Sequence, residues 1–170
     1  LTAWSIGKHK GKIDIGKYAL ITPGVRIMAA ENIKIGNACM IAHGAYISDA
    51  DWHGIYDRAE PVGKTKPVIF KDNVWIGDSA IICKGVTIGN NSIIGAGSVV
   101  TKDVPDNVIY AGNPAKLVKK LDKDKFNTRR EFFSDPQKLA LDFDNLDRYT
   151  LSKNSLLGWL KSLIFPDKFN

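Results

Sequence analysis

Large apolar residues recur at every sixth position from Phe70 onward, through Ile76, Ile82, Ile88, Ile94 and Val100. An earlier series runs Ile15, Ile21, Ile27 and then, after a two-residue offset, Ile35, Ile41 and Ile47. Glycine often follows the aliphatic residue, as at Gly16, Gly36, Gly77, Gly89 and Gly95. A small or β-branched residue stands four places after it, as at Cys39, Ala45, Ala80, Val86, Ser92 and Ser98. A period of six fits neither the 3.6 of a helix nor plain strand alternation, so each hexad predicts a short strand plus the turn after it. Three such flat faces make a coil of about 18 residues with one inward aliphatic per face. Glycine or asparagine is expected to relieve the corners, and each strand to pair with the coils above and below.

The pattern stops between Asp51 and Lys66, in a polar, aromatic and turn-rich stretch, and resumes near Val68. Residues 51–67 are therefore expected to project as a loop, the kind of segment that carries sites on a rigid scaffold. The repeat ends near Pro105 and Pro114, which break regular pairing, and Ala115 to Leu121 suits either a short helix or a strand. Six-fold periodicity is gone from about Phe126. Asp135 followed by Pro136 reads as a helix start. A second helix is expected over Ser155 to Phe165, with Leu156, Trp159, Leu160, Leu163 and Ile164 on one face and a stop at Pro166. The organisation expected is a β-helix domain over residues 1–121 and a helical extension over 122–170.

The chain has 170 residues, 44% of them hydrophobic, which is enough to bury a core and argues against disorder. Two cysteines, Cys39 and Cys83, have no metal-ligand spacing and are too few for a disulfide scaffold; a reducing, cytoplasmic setting is expected. No apolar run reaches the roughly 20 residues of a membrane helix, and no secretion signal is visible. The chain opens on Leu1 rather than Met, which leaves room for residues upstream. The net charge of +6 suits several anionic partners. Its densest part, from Lys116 to Arg130, lacks the interleaved aromatics of a single-strand platform, so no nucleic-acid role is expected. For the tail, packing on the body or on a neighbouring subunit is preferred to peripheral membrane contact.

Only three histidines are present, His9, His43 and His53, and His53 alone lies in the interrupting loop. Imidazole titrates near neutrality and can take a proton from an attacking hydroxyl, so His53 is the candidate general base. Asp49 and Asp51, close upstream, could orient it, bind an acceptor hydroxyl or serve turn geometry. His43 sits inside a regular hexad and reads as a corner residue.

The stretches "IGNACMIAHGAYI" and "VWIGDSAIICKGVTIGNNSIIGAGSVV" resemble the hexapeptide-repeat acyltransferase superfamily, and "ISDADWHGIYDR" is similar to the histidine-bearing loop of sugar O-acetyltransferases. The resemblance implies an all-β, left-handed parallel β-helix; the general preference for right-handed crossovers points the other way. It also implies a homotrimer, an acetyl-CoA cosubstrate in a groove between subunits, and a saccharide or other small-molecule acceptor. By position it places Trp75 beside the pantetheine arm, Ala80 and Ala96 at close backbone contacts, Thr101 and Lys102 near the adenine, and Lys116 and Lys119 near the phosphates. A carbonic anhydrase family on the same fold uses three zinc-binding histidines, but the spacing of the three here does not match it, and no metal is expected. Two further readings stay open: an N-acetyltransferase of nucleotide sugars, and a non-catalytic β-helix used for assembly.

Overall fold

The structure is a computed structural model that describes residues 1–152 and 155–164. Its strands form three parallel faces, visited in the same cyclic order at every coil. One face has four strands, in the order Thr87–Ile88, Val68–Phe70, Asn32–Ile35, Lys12–Ile15. A second has six, in the order Lys116–Lys120, Val108–Ala111, Ile93–Ile94, Trp75–Ile76, Met40–Ile41, Leu20–Ile21. A third has five, in the order Thr2–Ala3, Arg26–Ala29, Tyr46–Ser48, Ile81–Ile82, Val99–Val100. Together they make the left-handed parallel β-helix that the repeat implies. The open question over Ala115 to Leu121 resolves as a strand, Lys116–Lys120, antiparallel to Val108–Ala111.

The hexad aliphatics fill the interior. Phe70, Ile76, Ile82, Ile88 and Ile94 are all buried, as are Ile27, Ile35, Ile41 and Ile47, and parallel pairing aligns them in layers. Burying one such side chain is worth about 1.5–3 kcal/mol, so the stack supplies most of the drive to coil. Cys39, a small residue of the same series, lies in this core, where burial pushes its thiol up to about 11.

The corners differ from expectation in an instructive way. The glycines that follow the aliphatics do not supply the left-handed backbone; they are there because coils touch. A Cβ on Gly36 would lie 2.4 Å from the Lys71 carbonyl oxygen, and one on Gly77 would lie 2.6 Å from the Ala96 nitrogen. Left-handed φ falls instead elsewhere in the hexad, on Ala38, Asn73, Ser79, Asn91 and Asn107 and on glycines such as Gly44, Gly85 and Gly97, so glycine and asparagine do relieve corners there. Three of these are joined side chain to side chain. Asn73 Nδ2 donates to Asn91 Oδ1 at 2.9 Å, and Asn91 Nδ2 to Asn107 Oδ1 at 2.8 Å.

The two-residue offset after Ile27 also has a place. Arg26–Ala29 and Asn32–Ile35 are longer strands, and the corner between them, Ala30 and Glu31, has amides that the coil ladder does not use. The Asp49 carboxylate accepts from both, at 2.7 and 2.9 Å.

Beyond the coils the chain forms α1 (Arg129–Phe132), α2 (Pro136–Leu151) and α3 (Leu156–Ile164). The chain forms two compact units, with the boundary between Arg130 and Glu131. Helix α2 starts where expected: Asp135 caps it, accepting from the Lys138 amide at 2.9 Å, with Pro136 in the first turn. For α3, Phe165 and the expected stop at Pro166 lie outside the described residues. Among the described residues no helix is long and apolar enough to cross a membrane.

The asparagine ladder gives a graded expectation. Asn91→Ala removes both ladder bonds and leaves a Cβ residue at φ 57°, where a residue other than glycine or asparagine costs about 1–2 kcal/mol. Asn91→Gly removes the same bonds without that strain. Urea unfolding should rank wild type above Asn91→Gly and Asn91→Gly above Asn91→Ala; the reverse order of the variants would show that backbone conformation is not what Asn91 supplies.

Candidate active site

The interruption is a braced loop. Asp51 N donates to Lys64 O at 2.9 Å, Gly63 N to Asp51 O at 2.8 Å, and Lys66 N to Asp49 O at 2.8 Å, with an antiparallel bridge between Ala50 and Thr65. Beneath this zip lies a second small core of Ala30, Ala50 and Val62, with Ile6 and Trp52 packed on it. The Trp52 indole donates to Ser48 Oγ at 3.0 Å and Tyr46 Oη at 3.2 Å, which anchors the residue next to His53. Inside the loop a pocket of about 310 Å³ opens between Ile55, Tyr56, Glu60 and Lys64.

His53 is exposed near the start of this loop, and among the described residues its imidazole has no hydrogen-bonding partner. Neither nearby carboxylate reaches it. Asp49 is fully buried, and both of its oxygens are taken by the Ala30 and Glu31 amides. Asp51 forms an ion pair with Lys84, Nζ to Oδ1 at 2.5 Å. Cys83, beside Lys84, has its thiol pushed up by burial, with the Lys84 charge opposing and Asp51 adding.

His43 is exposed at its corner as expected, and its Nδ1 donates to the Pro23 carbonyl at 2.7 Å. His9 lies apart, in a two-stranded hairpin with Ile6 opposite it. Among the described residues no three His, Cys, Asp or Glu side chains converge as metal ligands would.

The donor candidates fall in two places. Thr101 and Lys102 are exposed on the corner that follows the five-stranded face, the same corner from which the loop departs two coils earlier. Trp75 stands on the six-stranded face, half exposed, in a cross-strand row with Leu20, Met40, Ile93 and Ile109. Their partners Ile76, Ile41 and Ile94 are buried, so this row points outward. The row ends on Lys119, paired with Ile109, and Lys116 pairs with Ala111 on the same side. Three strand spacings separate Trp75 from Lys119, about 14 Å. Ala96 is exposed on the corner after that face. Ala80 is not available there: it is fully buried in the core, and its amide and carbonyl bond to Gly77 O and Tyr46 N within the coils.

Lys84 is the residue that the sequence reading missed. Nothing in its hexad marks it, because its partner is 33 positions away and meets it only once the loop is excised and the coils are stacked.

Residues 67–102 match the model described as bacterial transferase hexapeptide (six repeats). The chain is 37% identical over 120 residues to the galactoside O-acetyltransferase of Escherichia coli (strain K12), covering 69% of this chain and 59% of that protein. Among solved structures it is similar to a maltose O-acetyltransferase from Clostridium difficile 630, with a TM-score of 0.62, 39% identity, and coverage of 65% of this chain and 60% of the other. A hexapeptide-repeat acetyltransferase from Vibrio cholerae O1 biovar eltor, complexed with acetyl coenzyme A, gives a TM-score of 0.61 at 34% identity, covering 65% of this chain and 61% of that one. The chain thus spans about three fifths of the length of each of these proteins.

Asp49 is the site residue whose role is most sharply testable by stability. Asp49→Asn replaces one acceptor oxygen with an amide nitrogen that faces an N–H, losing a charge-assisted bond and leaving a buried donor unpaired. That should cost about 2–4 kcal/mol in denaturant unfolding; an unchanged midpoint would show that the Ala30–Glu31 corner does not depend on it.

Proposed function

We propose that the chain is a hexapeptide-repeat transferase, an acetyl-CoA-dependent O-acetyltransferase acting on a hydroxyl of a sugar or polysaccharide precursor. The observation that carries this reading is an exposed, unpartnered imidazole on a braced loop; a separate face of the same coil carries an outward apolar row that ends in two lysines. The activities by which those relatives are named point the same way.

In this mechanism His53 takes the proton from the acceptor hydroxyl as its oxygen attacks the thioester carbonyl, and returns a proton to the departing sulfur. Trp75 flanks the pantetheine arm, Ala96 lets it pass close to the corner, Thr101 and Lys102 meet the adenine end, and Lys116 and Lys119 face the phosphates. Ala80 contributes from below, as the small core residue that keeps its corner tight. Asp49 and Asp51 act on the loop rather than on the imidazole. The groove is completed by a second subunit of a homotrimer, since one face alone leaves the apolar row open to water. The catalytic domain is residues 1–121 and the extension 122–170. Two free cysteines suit a cytoplasmic protein.

Release of free thiol from acetyl-CoA, followed with a panel of sugars and with product analysis for ester against amide, tests the reading. His53→Ala should lower kcat at least about 100-fold while the acetyl-CoA KM moves little; equal activity would overturn the assignment of the base. Trp75→Ala should do the converse, raising the acetyl-CoA KM with kcat largely kept. A monomer by light scattering would remove the two-subunit groove.

A further inference from the structure

Two carboxylates root the limb that carries His53, and they pull in opposite directions along the coil axis. Asp49 bonds to Ala30 and Glu31 on the coil before the loop. Asp51 reaches Lys84 on the coil after it. The lysine rises from a fixed base. Cys83 N, just before it, donates to Val100 O at 3.0 Å, and Gly85 N, just after it, donates to Lys66 O at 3.1 Å. The pair is also shielded, its side chains 28% and 30% exposed, against 69% and 44% for Lys12–Asp14 and 77% and 56% for Arg148–Asp144. A pair at that depth is screened less by water and salt than those surface pairs.

We infer that Lys84 is a positioning residue: through Asp51 it fixes the His53-bearing limb of the loop against the following coil, so that the imidazole is presented in one arrangement. The inference rests on the proposed acetyl transfer for its catalytic consequence, but not for its structural one. Asp51 is spent on the lysine and the lysine on Asp51, so neither is a free charge for substrate. The backbone zip between Asp51, Gly63 and Lys64 makes the loop a hairpin, yet these bonds lie within the loop and do not tie it to the coil above. The ion pair does. His53 follows Asp51 by two residues, with the Trp52 anchor on Ser48 and Tyr46 between them, so the clamp and that anchor together set the imidazole, and a displacement of about 1 Å at a reacting group costs on the order of 100-fold in rate.

The test uses two readouts on the full chain. Trypsin reaches the exposed Arg58 and Lys64 in the loop. In Lys84→Met, cleavage there should rise at least about tenfold while the global unfolding midpoint falls little, because the loop opens locally. The same variant should lose about 10–100-fold in kcat with the acetyl-CoA KM within about twofold, and Lys84→Arg should restore both. Asp51→Asn, which keeps the loop's backbone bonds, should match Lys84→Met, and the double variant should be no worse than either single one. Wild-type cleavage together with wild-type kcat in Lys84→Met would overturn the inference, as would faster cleavage with unchanged kcat, since His53 would then not depend on the clamp. A wild-type protein with no transferase activity would instead refute the proposed function, and the proteolysis arm would still decide whether Lys84 holds the loop.

Discussion

Successive coils sit on one another at the spacing of a β-ladder, about 4.8 Å, and that distance limits what any corner can contain. It accounts for the glycines, since a Cβ at Gly36 or Gly77 would overlap backbone of the next coil. It also accounts for the asparagines. Stacked at one corner, Asn73, Asn91 and Asn107 are close enough for each amide to bond the next, and their side chains tolerate the left-handed backbone there. A parallel corner ladder runs beside them, in which Asp106 accepts from Asn90 and is held below the usual carboxylate range chiefly by that bond.

The same spacing makes any irregularity expensive, and the two largest irregularities solve each other. The extra residues at Ala30 and Glu31 push two amides out of the ladder, and the root of the loop supplies a buried carboxylate that accepts both. One coil's insertion is thus the anchor for the next coil's projection. Asp49 stands on a closed face and is buried without a cation partner, which a carboxylate sustains only where backbone N–H groups converge on it.

These arrangements explain which parts of the protein were legible in its sequence. The inward aliphatics were, because a six-residue period is a local property and each hexad repeats the same packing problem. The loop boundaries were as well, since the period fails there. His53 stood out only by its placement in the loop. The reason for the glycines that follow the aliphatics was misread, because crowding by the next coil, from Ala96 at Gly77 or Lys71 at Gly36, leaves no trace in the hexad itself. Asp49 and Asp51 looked alike in sequence, two short acids two residues apart. Asp49, just past the strand Tyr46–Ser48, turns to the preceding coil, whereas Asp51, on the loop itself, reaches Lys84 on the following one. Ala80 fell on the same side of this limit: its smallness was visible, but whether it opened a surface groove or filled the core depended on which way its hexad position pointed.

The outward row on the six-stranded face adds a constraint of its own. Register, not side-chain choice, aligns Leu20, Met40, Trp75, Ile93 and Ile109, and the antiparallel return at Lys116–Lys120 places Lys119 at the end of that line. Return strands usually blunt an exposed edge with lysines, and these do so. Here the same lysines also cap an apolar track, so one side of the sheet offers hydrocarbon along its length and positive charge at its end. A ligand that matched it would be long, thin and apolar through its middle, with its anionic groups about 14 Å from Trp75. A compact sugar would not span such a track; under the proposed transfer the track suits the acyl donor, and the loop, with its own pocket between Ile55, Tyr56, Glu60 and Lys64, suits the acceptor.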